Sequence, residues 1–124
     1  MVIKMNCVFC KIIKGELPSY TIYEDNDIKC FLNINPISNA HCLIIPKHHY
    51  KDIYDIDSNI LLKINNCAKD IIKLIDKKLK PDGYQLIQNN GNMQEVKHFH
   101  LHIIPNYKNK KQMSIEEVYD ILTK

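Results

Sequence analysis

Arginine is absent from the 124 residues: all 17 basic side chains are lysine, against 14 acidic ones, for a formal charge of +3. Beside abundant Ile, Lys and Asn, this fits the codon usage of an AT-rich genome and excludes no activity. The lysines are spread along the chain with no aromatic-interleaved basic patch, so a nucleic-acid polymer is not expected as a partner. No segment approaches the ~20 consecutive apolar residues that span a bilayer. Met1-Val2-Ile3-Lys4-Met5 lacks the apolar core of a secretory signal, and Met5 is a second candidate start. A cytoplasmic protein without membrane association is therefore expected. No repeat, low-complexity tract or linker interrupts the chain, and 45% hydrophobic with 25% charged residues is ordinary globular composition. Residues 1–124 read as one domain with a single core. The five cysteines do not make an even-numbered disulfide framework, and Cys30, Cys42 and Cys67 sit in apolar runs, where a free thiol packs as a small hydrophobe. Cys7 and Cys10 differ, because C-x-x-C is the spacing of a metal knuckle or a redox pair.

Hydrophobic periodicity supplies the elements. Val8, Phe9, Ile12 and Ile13 recur at helical spacing ahead of Gly15, predicting a short helix. Tyr20 to Glu24 and Ile28 to Leu32, separated by Asp25-Asn26-Asp27, read as antiparallel strands joined by a turn. His41 to Ile45, closed by Pro46, reads as a buried central strand. Leu61, Ile64, Ala68, Ile71 and Ile75 form one stripe of a long helix over 58–79, capped by Asp57 or Ser58 and stopped by Pro81-Asp82-Gly83. Tyr84 to Gln88 alternates as a fourth strand, Asn89-Asn90-Gly91 turns, and a fifth strand follows. A terminal helix is expected from Ser114 to Leu122, with Ile115, Val118, Tyr119 and Leu122 inward. The class is α+β: an antiparallel sheet of about five strands, one short and one long helix, and a C-terminal helix, with helices mainly on one face.

The fifth strand carries the chemistry. His98-Phe99-His100-Leu101-His102-Ile103-Ile104 holds three of the six histidines, alternating with apolar side chains until Pro105 ends the run. Alternation in an extended strand puts the three imidazoles on one face and Phe99, Leu101 and Ile103 on the other. Residues four apart on a strand are separated by ~13 Å, so His98 and His102 cannot share one metal ion. Quiet structural histidines, each with a backbone partner, are a second reading. The third is nucleophilic catalysis: a central imidazole attacks an electrophile such as phosphorus while its neighbours fix its tautomer and stabilise charge on the transferred group. Only that reading uses all three positions.

His-φ-His-φ-His-φ-φ (φ apolar) is the signature of the histidine triad (HIT) superfamily, and the chain resembles its small single-domain, HINT-like branch. Cys7-Val8-Phe9-Cys10-Lys11-Ile12-Ile13, Phe31-Leu32-Asn33-Ile34-Asn35-Pro36 and His41-Cys42-Leu43-Ile44-Ile45-Pro46-Lys47 are similar to that branch's other landmarks, in order. The resemblance covers about 7–105 as the domain core and leaves 106–124 as a C-terminal extension. It implies a HIT-like fold and a nucleotide hydrolase acting at the α-phosphate of purine nucleoside phosphoramidates through a covalent nucleotidyl-His100 intermediate. It places His98, His102 and the additional histidine His41 beside the nucleophile, with His41 open to a core-filling role as well. His102 lies one strand repeat, ~6.6 Å, from His100. The resemblance also assigns Asn89, Gln94, Glu95 and Val96 to the phosphate and Val8, Phe9, Ile12, Phe31, Asn33, Ile34 and Leu43 to the nucleoside. Glu95 either donates a proton to a leaving amine or points to solvent.

Three departures from the relatives' pattern matter. Met93 stands where many relatives have an additional glycine in a longer loop, Glu95 where some have serine, and Asn33 where aspartate commonly accepts from the ribose hydroxyls. Some bacterial-type members bind structural zinc through the cysteine pair, a histidine shortly after Ile-Pro-Lys, and the first triad histidine. Here that set is Cys7, Cys10, His49 and His98, with His48 as a more exposed fallback. Purine nucleotides of the AMP or GMP class are the implied substrate and a homodimer the implied assembly. A dinucleoside polyphosphate hydrolase and a non-catalytic, zinc-stabilised nucleotide-binding protein are the alternative functions.

Overall fold

The computed structural model describes residues 2–124. Three helices, α1 (Val8–Ile13), α2 (Ser58–Leu79) and α3 (Ile115–Thr123), accompany five strands, β1 (Thr21–Glu24), β2 (Ile28–Leu32), β3 (Cys42–Pro46), β4 (Gly83–Gln88) and β5 (Leu101–Asn106). The strands form one antiparallel sheet in the order β1-β2-β3-β5-β4. The expected architecture is present, with a single 3₁₀ turn, Gly91–Met93, added after β4.

Strand alternation divides the sheet's surface in two. Cys30, Leu32, Cys42, Ile44, Leu101 and Ile103 face a core shared with Ile64, Cys67, Ala68, Ile71 and Ile75 of α2 and with Val118 and Leu122 of α3. Phe31, Leu43 and Ile45 point the other way, into a smaller cluster with Cys7, Phe9 and Cys10. The long helix and the terminal helix therefore cover one face and α1 covers part of the other. Asp57 caps α2 by accepting from the Asn59 and Ile60 amides, and Ser114 and Glu117 form a reciprocal capping box at α3. Cys30, Cys42 and Cys67 are buried free thiols in the larger core. No helix among the described residues is long and apolar enough to cross a membrane.

Two sequence expectations about the histidine run are corrected. The strand begins at Leu101, so His98 and His100 precede it. There the backbone leaves the sheet ladder, and the Phe99 amide donates to the Tyr50 carbonyl at 2.7 Å. Nor does Pro105 end the strand, which continues to Asn106 with Pro105 opposite Tyr84. Proline is tolerated because β3 pairs with β5 only from Leu101 to Ile103, leaving no neighbour on that side to need its missing N–H.

Candidate active site and metal centre

Covered by α1, the imidazole face is itself buried. His98 is completely inaccessible, His100 is 4% exposed, and only His102 is half-open to solvent. The Phe9 ring stands edge-on to both His98 and His100, with centroids 5.7 and 5.0 Å away.

Hydrogen bonds assign the tautomer of each ring. His100 Nδ1–H donates to the His98 carbonyl at 2.8 Å, so His100 Nε2 carries the free lone pair. On the adjoining segment, His41 Nδ1 accepts from the Ile37 amide at 3.1 Å, which places the His41 proton on Nε2. That proton is donated to His102 Nδ1 at 3.0 Å, and His102 consequently exposes an Nε2–H donor. The His100 and His102 rings lie 4.9 Å apart between centroids. The start of β5 and the residues just before it thus present an unprotonated ring nitrogen beside a protonated one, as nucleophilic attack and stabilisation of an anion require. Burial disfavours the cationic form throughout: it depresses His41 and His100 below the usual histidine range, the latter partly restored by the His98 carbonyl and the Glu95 charge. Burial, with repulsion from His100 and His41, takes His102 down to about 4.

His98 turns away from this pair. Its Nε2–H donates to the Pro46 carbonyl at 2.8 Å, leaving Nδ1 directed at Cys7, Cys10 and His49. The four ligand atoms lie within 4.8 Å of one another. Tetrahedral zinc sets a nitrogen and a sulfur ligand about 3.6 Å apart and two nitrogens about 3.3 Å apart. The nitrogen–sulfur separations are 3.5 Å for Cys7–His98, 3.2 Å for Cys10–His49 and 3.6 Å for Cys10–His98, and the two Nδ1 atoms are 3.0 Å apart. The donor set and its spacing fit a zinc ion. Cys7 is the N-cap of α1, where its sulfur accepts from the Cys10 amide, so the C-x-x-C spacing is held by the first helical turn. His48 stands outside the cluster, half-buried against Tyr50, and accepts from the Val2 amide.

The remaining expected site residues fall into three groups. Phe9, Phe31 and Leu43 are buried in the small cluster and Ile12 packs against it, whereas Val8 and Ile34 are exposed at 40% and 73%. Asn33 accepts from the Asn35 amide through Oδ1 at 2.9 Å, an Asx turn, and its Nδ2 lies 3.4 Å from His41 Nε2. Asn89 extends β4 beyond Gln88, whose partner is Leu101, and so stands opposite the His100 segment. Its side chain has no hydrogen-bond partner among the described residues, whereas Asn90 is tied to Ile53 and Gln88. Gln94 is buried, its Nε2 donating to the Lys51 carbonyl and its amide to the Gly91 carbonyl, while Glu95 is exposed and Val96 half-buried. The sequence did not mark the backbone partners: the Ile37 amide at His41, the Pro46 carbonyl at His98, and the Lys4 amide, which donates to Cys10 Sγ at 3.3 Å. Main-chain groups have no residue signature, so only the fold reveals them.

The HIT domain family model matches residues 14–109, and the chain belongs to the HIT family. A HIT-like protein of Methanocaldococcus jannaschii is 42% identical over 104 residues, covering 82% of this chain and 80% of its own. Adenosine 5'-monophosphoramidase HNT1 of Candida albicans is 43% identical over 106 residues, covering 81% and 70%. Among solved structures, a zinc-bound histidine triad family protein from Mycobacterium smegmatis superposes with a TM-score of 0.88 at 31% identity, covering 96% of this chain and 91% of that one.

Proposed function

We propose that the protein is a nucleotide hydrolase that cleaves purine nucleoside phosphoramidates at the α-phosphate, with His100 as nucleophile. One contact carries the reading: the His100 Nδ1–H bond to the His98 carbonyl, which leaves Nε2 as the attacking lone pair and offers an acceptor to the ring as it becomes cationic. His100 Nε2 forms a bond to phosphorus while the P–N bond breaks, and the leaving amine departs with its bonding pair and takes up a proton from solvent, to which the water of the next step returns one. Water then attacks the nucleotidyl-imidazole, releasing the nucleoside monophosphate and returning the electron pair to His100. His102 Nε2–H, polarised by His41, donates to a phosphate oxygen, and Asn89 adds a second donor from the end of β4. Val96 and Glu95 complete the phosphate cradle through their amides, with the Gln94 side chain fixing their loop to Lys51. Val8, Ile12, Phe9, Phe31, Leu43 and Ile34 supply the apolar walls for the base, and Asn33 faces the ribose.

Cys7, Cys10, His49 and His98 would hold zinc, which supplies structural cross-linking rather than Lewis-acid chemistry because all four positions are protein ligands. A homodimer packed through the long helix and a sheet edge would cover the outer edge of β4, which pairs with β5 on one side only and where Leu86 is 49% exposed. The likeness to the adenosine 5'-monophosphoramidase HNT1 supports the phosphoramidate reading. Release of AMP from adenosine 5'-phosphoramidate by the wild type, lost in a folded His100→Ala variant of equal zinc content, is the expected result. AMP binding without turnover of this substrate or of dinucleoside polyphosphates would favour a binding protein.

A further inference from the structure

Asn39 is only 2% exposed, and both ends of its amide are engaged. Nδ2 donates to the Lys111 carbonyl at 3.0 Å, and Oδ1 accepts from the Met113 amide at 2.8 Å. Its main-chain carbonyl accepts from the Tyr107 hydroxyl at 2.9 Å, and the neighbouring Ser38 hydroxyl donates to the Pro105 carbonyl. The segment leaving β5 therefore grips the 38–40 turn at several points. Ala40 follows at φ 70°, a left-handed conformation that a residue with a Cβ adopts only when its surroundings hold it there.

The gripped turn is continuous with the nucleotide-facing loop. The His41 amide donates to the Ser38 carbonyl at 3.1 Å, the Asn33 amide to the His41 carbonyl at 2.9 Å, and the Ile37 amide to His41 Nδ1 at 3.1 Å. Residues 33–41 are thus one hydrogen-bonded unit presenting Asn33, Ile34 and the His41 ring, with Asn39 as its buried anchor. Two of the anchoring groups, on Lys111 and Met113, lie beyond residue 109, where the family match ends. The anchor therefore joins the C-terminal extension of this chain to the loop, whereas His100 is held independently from the His98 carbonyl.

We propose that Asn39 is a positioning residue for nucleoside binding, through which the segment after β5 holds loop 33–41 in its binding shape. This rests on the reading of that loop as the nucleoside face. Asn33 and Ile34 act on bound substrate and transition state alike, whereas the His41 ring on the same loop acts through His102, so loosening the anchor weakens binding and lowers turnover by a smaller factor. Asn39→Ala is expected to raise both the AMP Kd and the KM for adenosine 5'-phosphoramidate roughly tenfold, with kcat falling by a smaller factor because His41 sits on the same loop. Tyr107→Phe removes a single hydroxyl contact, should raise Kd about threefold, and serves if Asn39→Ala does not fold. Calorimetry with AMP and steady-state kinetics on zinc-loaded wild type and variants decide the matter. Variants that bind AMP as tightly as the wild type overturn the proposal even if their melting temperatures fall, and so does a loss confined to kcat. A wild type that binds no AMP overturns the nucleotide reading and this proposal together, whereas normal wild-type binding with unchanged variants overturns this proposal alone.

Discussion

A histidine is defined by which nitrogen holds its proton, and here the backbone decides it. The His98 carbonyl, the Ile37 amide and the Pro46 carbonyl orient three imidazoles differently, as the proposed roles of nucleophile for His100, relay for His41 and metal ligand for His98 require. Residue-scale predictions follow from these partners. Asn33 offers one acceptor, already engaged by the Asn35 amide, and an NH₂ donor beside His41 Nε2–H, a second donor. Asn33→Asp keeps the turn and replaces that donor with a carboxylate oxygen able to accept from a ribose hydroxyl. AMP binding should tighten about threefold to tenfold by calorimetry, and unchanged or weaker binding would refute this. His102 carries a pH dependence. Its folded value is about 4 against 6.5 for an unperturbed ring, so the unfolded chain takes up a proton as pH falls through 6.5 while the folded chain resists until about 4. The ring contributes no stability penalty above that window and a growing one within it. Urea midpoints of the wild type should therefore fall more steeply over the window than those of His102→Gln; parallel slopes would contradict the assignment.

At the scale of elements, α1 has six residues, too few for a helix that is stable alone. Its Cys7 cap, the Phe9 contacts on His98 and His100, and the Cys₂His₂ cluster hold it on the sheet. Cys10→Ser should abolish stoichiometric zinc and lower the unfolding free energy by about 2–4 kcal/mol. Metal analysis and denaturant titration check both, and full stability with no zinc in the wild type would remove the metal centre from the account. The long helix depends on different physics, its apolar stripe and its cap. Asp57→Ala leaves the Asn59 and Ile60 amides without their acceptor and should cost about 1 kcal/mol, read from the same titration.

The molecule as a whole was legible where side-chain pattern is the cause. Period-two and helical stripes located every strand and helix to within a few residues, since burial of those side chains is what forms them. The C-x-x-C pair, His49 and His98 converge as the sequence resemblance implied, because a ligand set is written in residue types. What the sequence could not yield was set by main chain and distant contacts. The run from His98 was expected to be strand, but Tyr50 takes the Phe99 amide, and Pro105 remains within β5 because β3 stops short of it. The buried amide of Asn39 gave no signal at all, since a polar loop residue becomes an anchor only when the C-terminal segment folds back on it. These layers converge on one chemical claim, that His100 Nε2 becomes covalently nucleotidylated. The most direct measurement is a single-turnover reaction of zinc-loaded protein with adenosine 5'-phosphoramidate, quenched in alkali and mapped by peptide mass spectrometry. The account predicts a transient adenylyl group on His100 that decays as AMP appears; AMP formed with His100 unmodified throughout would contradict it.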